Sequence, residues 1–361
     1  MILIFSFTCI IILITYLFLQ SPVFGIHPKN DRLDKINNSL HYKNGSFQNL
    51  SPTVVTLKDS SFIGLLLDFF NKPKETVPAH LIPVIKTDLK TLKDDAPTIV
   101  WFGHSSYLIK YKGINILVDP VFSGTASPVS FFGKSFPGSN IYSVKDLPLI
   151  DMLIITHDHY DHLDYKTISA LKDNVKITYT SLGVGAHLEH WGYKPNTIVE
   201  FDWWQEHKVS ENIQLIATPA RHFSGRSFAR AKTLWSSFVL KLDHYQLFIG
   251  GDSGYDTHFK TIGEKYGPFD LAILEAGQYG KAWPYIHMLP EETVQAAIDL
   301  SAKALLPVHW GKFALAYHPW DEPITRVLQH ALKENVQTTT PKIGEPFSIN
   351  KQMPQSTWWI K

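Results

Sequence analysis

The 361-residue chain predicts an α/β fold, and three observations carry the prediction. Short apolar runs of strand length alternate with amphipathic helical segments through most of the chain. No stretch repeats itself. The runs end, one after another, in His or Asp. Hydrophobic residues at 44% and charged ones at 19% describe an ordinary globular protein with material for a large core. Length alone suggests about two domains, although layered α/β proteins often run this long as one unit. The formal charge of +1 gives no electrostatic reason to expect a nucleic-acid partner. The only cysteine, Cys9, lies in the N-terminal apolar run, so the folded part has neither a disulfide nor a zinc–thiolate site. Any metal must be held by His and carboxylate.

In chain order, residues 2–19 carry no charge and the first charged side chain is Lys29. Such a run predicts a membrane-spanning anchor over residues 1–25, with a cleaved signal segment ending near Val23-Phe24-Gly25 as the alternative. The protein is then expected to be membrane-associated, or secreted or periplasmic after cleavage. Lys29, Arg32 and Lys35 are mixed with Asp31 and Asp34 and leave orientation open. Residues 26–52, rich in Asn, Ser and Lys, read as a polar linker, with N-x-S sequons at Asn37, Asn44 and Asn49. Residues 53–97 read as an extension on the body, in which Phe62 to Phe70 is expected to be a packed helix rather than a lipid-facing surface.

The folded body is assigned to residues 98–361. Thr98 to Tyr111 and Ile114 to Val118 around Lys112-Gly113 predict a β-hairpin. Val118-Asp119-Pro120 ends its second strand, and Asp119 taken alone reads as a turn-former. Gly, Ser, Pro and Phe dominate from Ser123 to Gly138, the mark of a long ordered loop near a site. Met152 to Ile155 is a strand, and Leu163, Ile168 and Leu171 mark the buried side of a helix. Further strands are predicted at Ile177–Thr180, Ile213–Ala217, Ser237–Leu242, Gln246–Gly250, Leu271–Glu275 and Ala304–Val308, and helices at Val184–Trp191 and Glu291–Ser301.

The stretch Thr156 to Asp164, THDHYDHLD, crowds His157, His159, Asp161 and His162 into six residues. Imidazole and carboxylate together suit zinc, and four such groups exceed the three protein ligands that one catalytic zinc usually takes, so two metals are expected. Three later strand-like runs end in His222, Asp252 and His309. One such residue is more often structural than not; three coinciding with HxHxDH are not. His157, His159 and His222 would hold one ion, Asp161, His162 and His309 the other, and the two oxygens of Asp252 would bridge them. Two zinc ions lower the pKa of a water between them and neutralise charge on the attacked oxygens, which is machinery for hydrolysis.

HxHxDH with the spaced His, Asp and His resembles the metallo-β-lactamase fold superfamily, which implies an αββα sandwich with a two-metal site along one edge of the paired sheets. WFGHSSYLI, ILVDPVFS, LPLIDMLIITHDHYDHLDY, FDWW, TLWSSFV, GGDSGY, YGPFDLAIL, PEE and VHWGKFALA occur in the order seen in the N-acyl-phosphatidylethanolamine phospholipase D family and its bacterial relatives. That narrower resemblance spans about Thr98 to Glu345. It implies two Zn²⁺ per chain on the seven ligands above and catalytic roles for Asp119, Asp161, Asp252 and His287. A carboxylate such as Asp119 can accept the free N–H of a ligating imidazole, and His287 would donate to a phosphate oxygen or protonate a leaving group. The implied reaction cleaves N-acyl-phosphatidylethanolamine to phosphatidic acid and an N-acylethanolamine. The implied partner is a phospholipid or membrane surface, and a homodimer is one expected assembly. Between Ser127 and Ser139 the chain departs from the family, with the single cation Lys134 where headgroup contacts are expected.

The same ligands would serve a di-zinc hydrolase of a lactone, a β-lactam or a soluble phosphodiester. A membrane-tethered scaffold that binds metal without catalysis is the non-enzyme alternative, and the complete ligand set speaks against it. No inserted domain or basic surface points to a nuclease. His159, where redox di-iron relatives usually have an acid, points away from that chemistry.

Overall fold

The computed structural model describes residues 2–57, 64, 67–68, 70–349 and 351–360. Helices α1 (Ile2–Leu19) and α2 (Asn30–Asn37) precede a small hairpin of β1 (Tyr42–Lys43) and β2 (Ser46–Phe47). The body begins with β3 (Thr98–Trp101), β4 (Tyr107–Tyr111), β5 (Ile114–Val118), β6 (Ile150–Ile155), α3 (Tyr165–Leu171), β7 (Val175–Ser181), α4 (Gly185–His190) and β8 (Ile198–Phe201). It continues through β9 (Glu206–Lys208), β10 (Ile213–Thr218), β11 (Ser237–Leu242), β12 (Tyr245–Ile249), α5 (His258–Tyr266) and β13 (Leu271–Glu275). It closes with α6 (Pro290–Asp299), β14 (Leu305–Val308), α7 (Glu322–Lys333) and β15 (Pro346–Ser348).

These strands make two sheets. One is seven-stranded in the order β15-β3-β4-β5-β6-β7-β8, the other six-stranded in the order β14-β13-β12-β11-β10-β9. Each begins with antiparallel hairpins and changes to parallel pairing, at β5/β6 in the first and β12/β13 in the second. Parallel neighbours need a crossover; the long segment 119–149 supplies it between β5 and β6, and the segments carrying α3 to α6 supply the other four. The central strands are buried on both faces, so their sequences are continuously apolar. On β6, Met152 and Ile154 join the cluster between the sheets, which also takes Leu240 and Ile249 from the other sheet. Leu153 and Ile155 turn the opposite way, to Ile168 and Leu171 of α3 and Leu188 of α4. On β13, Leu271 and Ile273 face the inter-sheet core, while Ala272 and Leu274 meet Val294 of α6 and Val327 of α7. The result is four layers, helix–sheet–sheet–helix. Each fully buried Leu or Ile contributes about 1.5–3 kcal/mol, so truncating Ile154 would cost both layers.

Three expectations meet a different outcome, and a fourth falls mostly outside the described residues. Residues 2–19 are helical, but among the described residues no helix is long and apolar enough to cross a membrane. The expected single strand Thr98–Tyr111 is two strands, because Gly103 and His104 turn the chain at φ 83° and 54°. A Cβ at Gly103 would lie 2.9 Å from Ile343 Cδ1, so the turn needs glycine. The polar stretch 26–52 lies against the body. Arg32 bonds Glu200 at 2.6 Å and Glu189 at 2.9 Å, Ile36 is buried, and the Phe47 amide donates to Ala231 O at 2.9 Å. The helix expected at Phe62 to Phe70 lies mostly outside the described residues, which there include Gly64, Leu67, Asp68 and Phe70.

Candidate metal centre

Every residue singled out for metal chemistry follows a strand end on the same edge of the sandwich. Asp119 follows β5 at φ 41°, the THDHYDHLD loop follows β6, His222 lies four residues beyond β10, Asp252 follows β12 through Gly250-Gly251, and His309 follows β14 at φ 67°. A Cβ at Gly250 would lie 2.8 Å from Ile273 O, so the two glycines let the chain turn Asp252 inward.

The side chains form two groups joined by one carboxylate. His159 Nδ1 lies 3.0 Å from His157 Nε2 and 3.1 Å from His222 Nε2. Asp252 Oδ2 stands 3.8 Å from His157 Nε2 and 3.7 Å from His222 Nε2. Its other oxygen, Oδ1, is 3.1 Å from both His162 Nε2 and His309 Nδ1. Asp161 Oδ2 completes the second group at 3.6 Å from His162 Nε2. All seven expected ligands are thus brought together, with Asp252 between the two sets.

The donor set fits divalent cations. The potential ligand atoms of each group lie within 4.8 Å of one another. His162 Nε2 and Asp252 Oδ1 are buried and lack hydrogen-bond partners among the described residues; such orphaned groups are costly unless a ligand satisfies them. Burial, reinforced by the neighbouring imidazoles, holds His157, His222 and His309 well below the usual histidine range. Burial likewise pushes His159 down to about 4. These are the neutral imidazoles a metal requires. His162 is the exception: despite burial, Asp252, Asp161 and Asp119 raise it well above the usual range. Burial also pushes Asp252 up to about 6. A concentration of carboxylate around His162 is thus waiting for positive charge.

Asp119 Oδ2 lies 2.7 Å from His162 Nδ1 and accepts from Thr156 Oγ1 at 2.7 Å, while Oδ1 accepts the Thr156 amide at 2.9 Å. It therefore fixes the imidazole so that Nε2 points at Asp252. His287 also reaches the centre, in a group with Asp252 and His309, its ring stacked on His309 at 5.2 Å. Its Nδ1 is 2.7 Å from Glu275 Oε2.

Four contributors escaped the sequence reading. His104 is buried with Nε2 2.9 Å from Asp161 Oδ2 and belongs to the group of Asp161, His162 and His309. Its signal was the Gly-His pair inside WFGHSS, hidden by reading one strand there. Ser105 Oγ lies 2.9 Å from His309 Nδ1. Glu275 ends an apolar strand and gives no sign of its partner. Asn49 holds the His222 backbone, donating to its carbonyl at 2.8 Å and accepting its amide at 3.0 Å, so its sequon covers a residue already engaged.

Two cavities meet here. A cavity of about 240 Å³ is lined by His159, Asp161, Asp252, His287, Trp283 and Arg230 among others. A second, of about 830 Å³, shares His287 and Trp283 with it and continues along Tyr255, Tyr279, Tyr285 and Tyr317.

Comparison with known proteins agrees with this arrangement. Residues 114–310 match the model of the beta-lactamase superfamily domain. A Mycobacterium tuberculosis protein described as uncharacterized is 38% identical over 326 residues, 89% of this chain and 87% of its own. The N-acyl-phosphatidylethanolamine-hydrolyzing phospholipase D 1 of Caenorhabditis elegans is 32% identical over 228 residues, 60% of this chain and 64% of its own. Among solved structures, Igni18, a metallo hydrolase of Ignicoccus hospitalis, superimposes with a TM-score of 0.56 at 18% identity over 71% of this chain and 100% of its own, a likeness of fold. The chain belongs to the beta-lactamase superfamily and is a metal-dependent hydrolase of the metallo-β-lactamase fold.

Proposed function

We propose that the protein is a zinc-dependent phosphodiesterase of the phospholipase D type, acting on N-acyl-phosphatidylethanolamine-like lipids at a membrane surface. One observation carries the reading: the polar metal cavity shares His287 and Trp283 as a common wall with a much larger cavity lined by Tyr255, Tyr279, Tyr285 and Tyr317. An amphiphile with a charged diester and a long apolar arm fits that pairing, since aromatic walls bind apolar chains and leave polar groups to the cavity that can satisfy them. The similarity to the C. elegans phospholipase D supports the same substrate class.

His157, His159, His222 and Asp252 would hold one zinc, and Asp161, His162, His309 and Asp252 the other. Bound there, zinc supplies Lewis acidity toward phosphoryl oxygens and lowers the pKa of water. The chain's own groups do the rest. Asp119 holds His162 in the tautomer that leaves Nε2 free, and His104 orients Asp161. Arg230, exposed at the mouth and lining the metal cavity beside Asp161 and His159, meets the anionic diester. His287, anchored at Nδ1 by Glu275, holds a proton at Nε2 for the departing alkoxide of the N-acylethanolamine. Water adds to phosphorus, the bond from phosphorus to that oxygen breaks as His287 delivers its proton there, phosphatidic acid remains, and the proton given up by the water restores His287.

Membrane association rests on α1, an uncharged helix whose Phe5, Phe7, Ile12 and Ile14 are exposed; apolar surface of that kind leaves water for lipid. The test is turnover by the zinc-loaded full-length chain of N-acyl-phosphatidylethanolamine in mixed vesicles, a soluble phosphodiester and a lactone. Release of N-acylethanolamine is expected. Lactone turnover alone would replace this reading with a di-zinc hydrolase of soluble substrates.

A further inference from the structure

Arg226 is 4% exposed, and among the described residues its guanidinium forms no ion pair. It is satisfied by backbone carbonyls from two distant parts of the chain. Nη1 donates to Asp158 O at 2.6 Å and to Leu163 O at 2.8 Å. Nε and Nη2 donate to Val23 O at 3.0 and 2.8 Å. The Tyr160 ring lies 4.2 Å from it and the Trp191 ring 5.2 Å, and the Tyr160 hydroxyl returns a hydrogen bond to Arg226 O. Residues 158, 160 and 163, which bracket and interleave with the ligands at 157, 159, 161 and 162, are therefore all tied to this one arginine.

The Asp158 side chain makes a second tie. It accepts from the Gly225 amide at 2.7 Å and from Thr233 Oγ1 at 2.9 Å, and its Oδ2 is 3.3 Å from His187 Nε2. His187 Nδ1 in turn accepts the Ile26 amide at 3.0 Å. Trp191 Nε1 donates to Pro22 O at 2.8 Å, and Phe24 sets its ring edge-on to Tyr160 at 6.4 Å. Gly25, at φ 67°, passes so close to His187 that a Cβ there would stand 2.0 Å from Nδ1. Lifting Pro22–Ile26 would leave two N–H groups of a buried guanidinium without acceptors, which is strongly unfavourable.

We propose that Arg226 is a positioning residue for the loop of metal ligands, and that Pro22–Ile26 is a strap whose docking completes its seating. The proposal rests on the reading of His157 to His162 as ligands. The strap joins α1 directly to the metal loop, so the metal affinity of the site depends on whether the strap is seated. A cut after Gly25 would remove the Pro22 and Val23 carbonyls and leave a chain that holds zinc less tightly; the intact chain is the competent form.

The test uses the full-length chain and its variants Gly25→Ala, Trp191→Phe and Arg226→Lys, with Val327→Ala on α7 as a core-destabilised control far from the strap. Zinc affinity is read by competition with a chromogenic chelator, and the thermal midpoint is read on the metal-free protein. Loss of groups that orient metal ligands costs about 10- to 100-fold in affinity. That range is expected for Gly25→Ala and Arg226→Lys, with a smaller loss for Trp191→Phe and none for Val327→Ala. Gly25→Ala combined with Arg226→Lys should lose less than the product of the two, because both break one linkage. If Arg226→Lys is not recovered folded, Gly25→Ala and Trp191→Phe decide. Wild-type zinc affinity in both, or a loss in Val327→Ala matching theirs, would overturn the strap. Failure of the wild-type chain to bind zinc is a different result and would overturn the metal assignment.

Discussion

Glu275 Oε2 lies 2.7 Å from His287 Nδ1, and the carboxylate is fully buried at the end of β13. Its Oε1 accepts the amides of Met288 at 3.0 Å and Ser253 at 3.2 Å, so it is fixed from three directions. Burial raises Glu275 well above the usual carboxylate range and lowers His287. The pair therefore holds His287 with Nδ1 engaged and Nε2 toward the metal cavity. Glu275→Gln should lower kcat by about 100-fold, the low end of what a positioned proton donor contributes, with zinc content unchanged. An unaltered kcat would remove His287 from proton transfer.

Asp252 divides its two oxygens between the histidine groups. Asp252→Asn keeps the shape but loses the charge and one acceptor. Turnover should fall by more than about 10³-fold, as expected when the group joining a two-metal clamp is lost. Elemental analysis should show fewer than two zinc per chain where the wild type approaches two. Full activity in this variant would exclude the bridge.

Arg230 is a cation lining the metal cavity, with the Phe223 ring 5.3 Å from its guanidinium. Charge-assisted contact with a diester oxygen is lost in Arg230→Gln. KM for an anionic phosphodiester should rise about 10-fold, equivalent to about 1.4 kcal/mol, while KM for a neutral ester is unchanged. Equal effects on both would show that Arg230 does not read charge.

Lys312 is fully buried, with Nζ donating to Val121 O at 2.8 Å and Phe102 O at 3.2 Å. Burial pushes it down to about 7 from the usual 10.5. Between those values the unfolded chain holds a proton that the folded chain lacks, so this group's destabilising contribution is fully present below about pH 7 and is relieved as pH rises. In urea unfolding of metal-free protein, wild type should gain stability relative to Lys312→Met between pH 7 and 10. A constant difference across that range would show that Lys312 does not titrate there.

Much of the site was readable one residue at a time. His157, His159, Asp161 and His162 sit together because their spacing leaves no alternative on a single turn, and His222, Asp252 and His309 announce themselves by ending apolar runs. Asp119 needed a partner to distinguish it from a turn-former, and that partner, His162, is 43 residues away. Helix α7 was not predicted, although Ile324, Val327 and Ala331 are buried on one face of it. Nor were the short strands β8, β9 and β15, because three or four residues carry too little periodicity and are stabilised by their neighbours in the sheet.

By itself, then, the sequence determined the α/β class, the two-sided burial of the central strands and the donor types at their ends, since these follow from local periodicity and side-chain chemistry. Only the tertiary structure decided that His104 joins Asp161, that Glu275 backs His287, that Arg226 ties Val23 to the metal loop, and that a polar stretch reading as a linker seats against the body. Those relationships depend on distance in space between residues far apart in the chain. A buried charge or an unpaired carbonyl is satisfied by whatever the fold brings near, and no local pattern encodes that partner.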